Sequence, residues 1–396
     1  MNVIYIGSIY PAGLQEKLLK KGSVIGFAGH TFQAALISGL DECYPDMKVI
    51  SSALTSPFPK IKELNCRQFN FSHKGEEVKS DKYVGGLNLP LIKLFSKYLR
   101  VKKALRNSLK NNDDNVVIVY GTHSPFLLAV HRLRKRISKA IVVVPDLPEF
   151  MSGNSGTILI FLKKLDKKLI NRCLSSFDGF VLLSPYMREK LPVNEKPWLQ
   201  FEGIYQINKV QEETVEKETL RTIMYTGNIY RRRGVDLLLE AFRQIDKPNY
   251  RLWIRGNGEL KQTILDLARE DPRIVYFEPV EREELLRMER KATVMVNPTP
   301  ASLEFTKYFF PSKTMEYMAS GTPTLMFRLA CLPKEYEPYV FFSDESVEAL
   351  RDKLIEICEM PQEALDRFGK AASDFIISNK NAQVQARRVH DFINTL

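Results

Sequence analysis

The chain has 396 residues, 44% of them hydrophobic, which is enough for two substantial cores and fits two domains better than one. Its formal net charge of +11 favours an anionic partner, but no nucleic-acid-binding motif accompanies the basic residues. Five scattered cysteines, no signal-like start and no bilayer-length apolar run predict a cytoplasmic protein without a metal site or cofactor.

In the first half, short apolar runs alternate with helical segments, which is typical of a doubly wound parallel sheet. The predicted strands are 3–6, 49–50, 65–71, 116–120, 140–144 and 180–183, the last of this half, and a helix is expected from SPYMREKL. Gly26 and Gly29 precede a helix after the first strand, where glycine lets a ligand approach the backbone. The G-x-x-G spacing alone is a weak dinucleotide signal, so a phosphate-facing and an acceptor-facing loop both remain open.

A basic helix is predicted over 89–110, and the basic character continues through 131–139. Phe95 and Leu99 are among the apolar residues expected to line its core side. Its charged side has two interpretations: a solvated face, or a surface that docks on anionic lipid, where each basic residue contributes about 1 kcal/mol. The basic residues of the helix are Lys93, Lys97, Arg100, Lys102, Lys103, Arg106 and Lys110.

Two polar residues follow predicted strands of the first half. His123 comes just after strand 116–120, and Asp146 follows strand 140–144. Ligands of open α/β sheets bind outside the carboxyl ends of the strands, so we expect both near a site. We assign Asp146, together with His30 beside the glycine loop, to the acceptor side.

The second half repeats the strand-helix alternation after a polar segment that we predict to be the linker. Its predicted strands are 222–226, 250–254, 274–277, 294–296 and 324–327. The first is followed by three arginines before Gly234. A guanidinium can grip a diphosphate through two parallel hydrogen bonds, and Arg233, beside the helix start, is the one we expect to do so.

The segment 294–325 carries the strongest chemical signal. A long loop leads to a helix for which Ser312 is the predicted N-cap, and Gly321 and Pro323 end it. Free N–H groups and the positive dipole end at the helix start favour an anion, and Lys313 adds a charge there. Glu316, one turn later, offers a carboxylate to a pair of hydroxyls such as those of a ribose. The alternative is an ordinary capped helix with a solvated lysine.

Five segments in order, YTGNIYRRRG, LWIRGNGEL, VYFEPVEREEL, VMVNP and FPSKTMEYMASGTP, resemble the donor domain of family 4 retaining glycosyltransferases of the GT-B fold. The chain is similar in particular to bacterial enzymes of polysaccharide and glycolipid assembly. The resemblance covers 220–330 and extends more loosely to the first half. It implies two Rossmann-like domains, of class α/β, facing a central cleft.

The resemblance also implies roles for individual residues. The Gly26–Gly29 loop would face the donor, and His123 would lie near the transferred sugar. The donor nucleotide-sugar, linked to UDP or GDP, would contact Gly227, Asn228, Arg233, Ser312, Lys313, Thr314 and Glu316. Catalysis would rest on His123, Arg233 and Lys313.

The sequence departs from the family pattern at two places. Asn228 stands where the family commonly has arginine, so that phosphate contact is either missing or supplied by Arg231 or Arg232. The paired-glutamate signature keeps its second member, Glu316, but Tyr308 occupies the place of the first. Glu304 would substitute for the missing glutamate only if the loop is rearranged.

We therefore predict a retaining transferase that moves a sugar to a hydroxyl of a saccharide or lipid-linked acceptor in polysaccharide or glycolipid biosynthesis. No Asp-x-Asp is present, so cationic side chains would replace a metal. The predicted domains are 1–205 for the acceptor, a linker at 206–220, 221–375 for the donor, and a final helix at 376–396 folding back on the first domain. A nucleotide-sugar epimerase and a non-enzymatic scaffold of a membrane assembly remain as alternatives.

Overall fold

The computed structural model describes residues 1–23, 26–53, 55–56, 58–90, 92–111, 114–147, 157–207, 213 and 215–396, with the side chains of 157–159 excepted. The chain divides into two units. The first comprises Met1–Ile204 and Ala382–Leu396, and the second comprises Tyr205–Asn381. In the predicted linker 206–220, residues 208–212 and 214 lie outside the described residues.

The first unit is built on a sheet that has eight strands among the described residues, in the order β10-β9-β8-β7-β1-β2-β5-β4. These strands are β1 Asn2–Gly7, β2 Lys48–Ser51, β4 Phe69–Phe71, β5 Asp81–Tyr83, β7 Asn115–Tyr120, β8 Lys139–Val144, β9 Gly179–Leu182 and β10 Trp198–Gln200. The short strands β3 Asn65–Cys66 and β6 Gly86–Leu87 pair separately. Within the described part of the large sheet the β4–β5 pair is antiparallel and the other pairs are parallel.

The helices of the first unit flank the sheet. They are α1 Leu14–Lys20, α2 Phe27–Cys43, α3 Ile92–Ser108, α4 Ser124–Leu133, α5 Thr157–Leu174 and, from the end of the chain, α12 Ala382–Thr395. Helix α12 packs against α2, where Gly39 permits the close approach: a Cβ on Gly39 would lie 2.2 Å from the carbonyl oxygen of Ala382. The last helix therefore belongs to the first unit.

Three predictions for this unit differ from the structure. The predicted strand 65–71 is two strands, β3 and β4, and β10 follows the strand that was expected to be the last. The helix expected from SPYMREKL is a short 3-10 helix, Pro185–Glu189. The strands β5, β6 and β10 were not predicted from the sequence. Their apolar segments are short and include two glycines, so the hydrophobic periodicity is too weak to indicate a strand.

Helix α3 departs in part from the expected distribution of its side chains, although Leu105 is buried as predicted. Lys97 is buried and its Nζ donates to the carbonyl oxygen of Ala53 at 2.8 Å. Phe95 and Leu99, expected in the core, are 61% and 48% exposed. The lysine stem is long enough to fill core space while its ammonium group reaches a backbone acceptor, which sequence periodicity does not reveal. Leu91 lies outside the described residues.

The second unit contains a parallel sheet with six strands in its described part, ordered β13-β12-β11-β14-β15-β16. The strands are β11 Arg221–Asn228, β12 Tyr250–Asn257, β13 Ile274–Phe277, β14 Val294–Asn297, β15 Thr324–Phe327 and β16 Phe341–Ser343. The helices are α6 Val235–Arg243, α7 Lys261–Glu270, α8 Arg282–Lys291, α9 Ser312–Ala319, α10 Val347–Cys358 and α11 Gln362–Asn379. Strand order reverses between β11 and β14, which is where such sheets bind ligands.

Both units thus have the α/β, parallel-sheet architecture that the sequence predicts. The central strands are buried along their length, because helices cover both faces of a parallel sheet. No helix within the described ranges has the length and apolar character needed to cross a bilayer.

Candidate functional site

A cavity of about 280 Å³ lies at the carboxyl ends of β11 and β14 in the second unit. Five of the predicted donor-site residues line it. Its lining residues are Tyr225, Thr226, Gly227, Asn228, Arg233, Asn297, Thr299, Phe309, Phe310, Pro311, Ser312, Lys313 and Tyr317. The structure thus brings together residues that are as far as 92 positions apart in the sequence, because parallel strands end at one edge of the sheet.

Arg233 is held at the cavity by the turn that follows β11. It ends a short 3-10 helix, Arg231–Arg233, and its N–H donates to the carbonyl oxygen of Tyr230 at 2.9 Å. Gly234 then takes a left-handed conformation, with φ of 71°, and α6 begins. The Arg233 guanidinium lies over the rings of Phe305 and Phe309, 5.7 and 5.2 Å from their centroids. Aromatic stacking fixes this side chain while leaving its N–H groups available.

The other two arginines of the turn do not line the cavity. The Arg231 side chain is 68% exposed and lies 3.5 Å from the carboxylate of Asp236. Arg232 is exposed and its guanidinium lies over the Tyr230 ring. Neither residue therefore supplies, in this conformation, the contact that an arginine at position 228 would make.

Helix α9 presents its first turn to the cavity, but without the predicted cap. Pro311 occupies the N-cap position, no side chain caps the helix, and Ser312 is already helical. The Ser312 N-cap was therefore wrong. Proline fixes φ just before the helix, and the N–H groups of Ser312 and Lys313, at the helix start, have no intrahelical acceptor. An anion at this point would find those N–H groups together with Lys313.

Thr314 faces away from the cavity. Its side chain is fully buried, its Oγ1 accepts from Asn297 Nδ2 at 3.0 Å, and its N–H donates to the carbonyl oxygen of Pro311 at 2.7 Å. Both polar groups are thus used inside the protein, which corrects the predicted phosphate contact of Thr314. The residue instead ties the start of α9 to the end of β14.

Lys313 and Glu316 form an ion pair beside the cavity. Lys313 Nζ lies 2.8 Å from Glu316 Oε1, and the two side chains are 35% and 20% exposed. Tyr308, at the place of the missing glutamate, is buried, whereas Glu304 is exposed at the start of the 3-10 helix Glu304–Tyr308. An ion pair in this position holds a lysine donor and a carboxylate acceptor ready next to the helix start.

A second cavity, of about 540 Å³, lies in the first unit. Four predicted residues line it: Gly26, Gly29, His123 and Asp146. His123 precedes α4 and follows β7, so that, as expected, it lies at the carboxyl edge of the sheet. The cavity wall also includes Tyr10, Gln33, Tyr120, Phe126, Lys163, Lys164, Lys167 and Ile170.

The electrostatic environment of His123 keeps its imidazole neutral. Burial, followed by the charges of Lys97 and Lys93, lowers the pKa of His123 to about 3. Its Nε2 is buried and has no hydrogen-bond partner within the described part of the chain, and its ring contacts Phe126 edge-on. A neutral ring with an unpaired nitrogen is suited to exchange a hydrogen bond with a bound hydroxyl. Burial likewise raises the pKa of the Asp146 carboxyl.

His30 has a supporting position. Its Nδ1 accepts from the backbone N–H of Tyr10 at 3.3 Å, and its ring meets the Tyr10 ring edge-on. Tyr10 lines the cavity, but His30 is not among the described lining residues. The structure therefore connects His30 to this cavity through its contacts with Tyr10.

Residues 220–360 match the family model for glycosyl transferases of group 1. This part of the chain is therefore similar to the glycosyl transferase domains of that group. No curated protein sequence matches the chain.

Solved structures extend the similarity to the whole chain. One is a sucrose-phosphate synthase from Thermosynechococcus elongatus, at 15% identity and a TM-score of 0.62, covering 100% of this chain and 99% of that one. A trehalose-6-phosphate synthase studied for glycosyl transfer with retention gives 9% identity, a TM-score of 0.65 and the same coverage. HepE from Anabaena in complex with UDP is similar at 10% identity and a TM-score of 0.62, with full coverage of both chains. These likenesses establish the GT-B fold, as expected from the sequence.

The cavity of the second unit is also lined or supported by residues that sequence reasoning missed. Asn297, the last residue of β14, and Thr299 line this cavity, and the Thr299 hydroxyl donates to Asn297 Oδ1 at 2.7 Å. Phe305 and Phe309 hold Arg233. The signal that could have revealed the aromatic pair is the density of aromatic residues in EFTKYFFPSK. Among the residues described, no group of three or more His, Cys, Asp or Glu side chains is arranged to hold a metal ion.

Proposed function

We propose that the protein is a retaining glycosyltransferase that moves a sugar from a UDP- or GDP-linked donor to a hydroxyl of a saccharide or lipid-linked acceptor. The observation that carries the proposal is the convergence of Arg233, Lys313 and the start of α9 on one cavity. The family match of this domain and the UDP bound in one similar structure support it.

The chemical demand on such an enzyme is charge that builds on the departing diphosphate. Fixed donors aimed at that charge lower the barrier most when they need no reorganisation. Arg233 is held by two rings, Lys313 by an ion pair, and the helix N–H groups by the backbone. We propose that these groups together perform the neutralisation for which other enzymes use a metal ion.

Glu316 would accept hydrogen bonds from the two ribose hydroxyls. Its carboxylate is oriented by Lys313 and lies one helical turn from the phosphate-binding N–H groups. Lysine has three donor hydrogens, so Lys313 can bind phosphate and carboxylate at once. The ion pair would then connect recognition of the ribose to recognition of the diphosphate.

For retention, we propose attack on the face from which the diphosphate leaves. The bond between the anomeric carbon and the phosphate oxygen breaks, the acceptor hydroxyl forms the new bond, and the departing phosphate oxygen takes the hydroxyl proton. His123, neutral and carrying an unpaired nitrogen, would orient the sugar or acceptor by a hydrogen bond instead of acting as a nucleophile. Similarity to a synthase studied for transfer with retention supports this stereochemistry.

The direct test is a panel of UDP- and GDP-sugars with saccharide and lipid acceptors, assayed for released nucleotide diphosphate. We expect Glu316→Ala to lower kcat/KM by roughly 100-fold, since the change removes a charged hydrogen-bond partner worth up to about 3 kcal/mol. Glu337→Ala, which removes a surface glutamate paired with Arg328, is the matched control and should leave the rate as it is. Wild-type turnover by E316A would overturn the site.

The same panel separates the alternative functions. An epimerase would convert the sugar nucleotide with no acceptor present. A non-enzymatic scaffold would release nothing and show no thermal shift with UDP or GDP. We expect release that depends on the acceptor.

For a lipid-linked acceptor, we propose contact of the first unit with an anionic membrane. On α3, Phe95 and Leu99 are exposed beside Lys103, and on α5, Phe161 is 61% exposed beside Lys164. Helix α4 contacts both α3 and α5, so the three helices form one layer. Exposed apolar side chains among lysines fit the boundary between anionic headgroups and acyl chains. The proposed polysaccharide or glycolipid assembly would then take place at the cytoplasmic face of the membrane.

Some basic residues of 89–110 and 131–139 are used inside the protein. Lys97 is buried, Arg100 Nη1 donates to the carbonyl oxygen of Cys66 at 3.0 Å, and Arg134 pairs with Asp178. The exposed apolar side chains of α3 and α5 therefore support the proposed membrane contact as much as the basic side chains do.

Flotation with vesicles tests this contact. We expect Phe95→Ser to weaken partitioning into vesicles with anionic lipid about tenfold, because burying a Phe ring contributes about 1.5–3 kcal/mol. Val78→Ser, at an apolar residue that is 75% exposed outside these helices, is the control and should float like the wild type. Equal flotation of F95S and wild type would contradict the contact.

A further inference from the structure

Glu289 is a fully buried carboxyl behind the donor cavity. It lies on α8 and its Oε1 accepts from Thr226 Oγ1 at 2.9 Å. Its Oε2 is also buried and has no hydrogen-bond partner among the residues that the structure describes. An unpaired carboxylate oxygen inside a protein is costly, so this atom requires an explanation.

The explanation lies in its neighbours. The charged groups that face Glu289 are Glu316 and Lys313 of α9, and the hydroxyl groups near it are those of Tyr317 and Thr226. Burial, followed by the negative charge of Glu316, raises the pKa of Glu289 to about 8, although Lys313 opposes the shift. Two adjacent carboxylates in a site of low dielectric cannot both be ionised.

A single proton on Glu289 accounts for the unpaired Oε2 and removes the repulsion between Glu289 and Glu316. A protonated carboxyl has one O–H donor, whereas a carboxylate has none. With its proton on Oε2, Glu289 donates to Glu316, and the like charges no longer meet. The ionised Glu316 is then held from two sides, by the Glu289 proton and by Lys313.

We propose that Glu289 is a positioning residue of the donor site, which orients the Glu316 carboxylate through a hydrogen bond from its Oε2. The role rests on the proposed function of Glu316 as the ribose ligand. When Lys313 turns its donors to the diphosphate, the Glu289 proton still holds Glu316 in place. Above the pKa of Glu289 the two carboxylates repel each other, and the ribose contact is lost.

The sign of the pH effect follows. Donor binding is strongest below pH 8 and weakens as Glu289 loses its proton. Roughly one tenth of the carboxyl remains protonated at pH 9, so the wild type should lose about tenfold more affinity between pH 7 and pH 9 than a variant that does not titrate.

Glu289→Gln is that variant, because its amide donates to Glu316 at every pH and has the same size. Calorimetric titration with UDP and with GDP at pH 7 and pH 9 measures both proteins. We expect slightly weaker binding by E289Q at pH 7 and a flatter profile, whereas Glu289→Leu, which has no donor, should bind weakly at both pH values. Equal pH profiles for the wild type and E289Q would overturn the proposal.

Infrared difference spectroscopy of the nucleotide-free protein gives an independent readout. A protonated-carboxyl C=O band should be present in the wild type at pH 7, should vanish near pH 9, and should be missing in E289Q. Absence of the band from the wild type would overturn the shared proton. If the band is present and neither nucleotide binds, the proposed function fails and with it the positioning role.

Discussion

Arg233→Ala should lower kcat/KM for sugar transfer by about 10²–10³-fold, the largest kinetic effect that we expect from a single side chain. Losing one pre-placed donor to a developing oxyanion typically costs that much. Arg233 is the arginine of its turn that reaches the described cavity, and Phe305 and Phe309 hold it there. Rates of released nucleotide diphosphate at low donor concentration measure the change.

Two further variants give this prediction its controls. Arg231→Ala removes an equal charge from the same turn, but that side chain is 68% exposed and pairs with Asp236, so transfer should change less than twofold. Arg233→Lys keeps the charge without the planar fork, and should fall between the wild type and R233A. If R231A and R233A lose activity equally, the turn contributes only general positive charge, and the assignment to Arg233 is contradicted.

The residues that sequence reasoning placed correctly share one physical feature. Arg233 and His123 each follow a strong apolar strand, and the ends of parallel strands converge on one edge of the sheet. Lys313 lies at a helix start next to the same edge of its sheet, so its position was predicted for the same reason. The approximate position of such residues is set by backbone topology, which short apolar runs and glycine turns encode locally.

Side-chain direction was harder to predict. Thr314 sits in the expected helix start, yet its hydroxyl bonds to Asn297 inside the protein. Lys97 sits in the expected basic helix, yet its ammonium group is buried against a carbonyl oxygen. In both, a tertiary partner far along the chain decides which way the side chain turns, and one sequence carries no record of that partner.

The acid pair at Glu289 shows the same limit. Its sequence context, EELLRMERK, is that of a charged amphipathic helix, in which a glutamate is expected to face water. Only the packing of α8 against β11 and α9 turns it into a buried carboxyl. A buried titratable group is recognised from its environment, and its proton in turn accounts for the orientation of Glu316.

Gly234→Ala is the substitution with the largest expected effect on stability, about 2–5 kcal/mol. Gly234 has φ of 71°, which costs an L-residue about 1–2 kcal/mol, and its added Cβ would lie 1.8 Å from the carbonyl oxygen of Pro298. Backbone cannot yield as a flexible side chain does, so relieving the overlap adds about 1–3 kcal/mol more. The turn that carries Arg233 would move away from Pro298, and transfer should fall together with stability.

Gly321→Ala, in the same unit, separates the conformational cost of a positive φ from the cost of steric overlap. Gly321 has φ of 78°, but a Cβ there would meet nothing within 4 Å, so this variant should lose only the conformational 1–2 kcal/mol. Trp253 and Trp198 are the two tryptophans, one in each unit, and in a Trp198→Phe background urea denaturation followed by fluorescence reports the second unit. Equal losses in G234A and G321A would mean that the turn relaxes freely, and Arg233 would then not be held by the contact of Gly234 with Pro298.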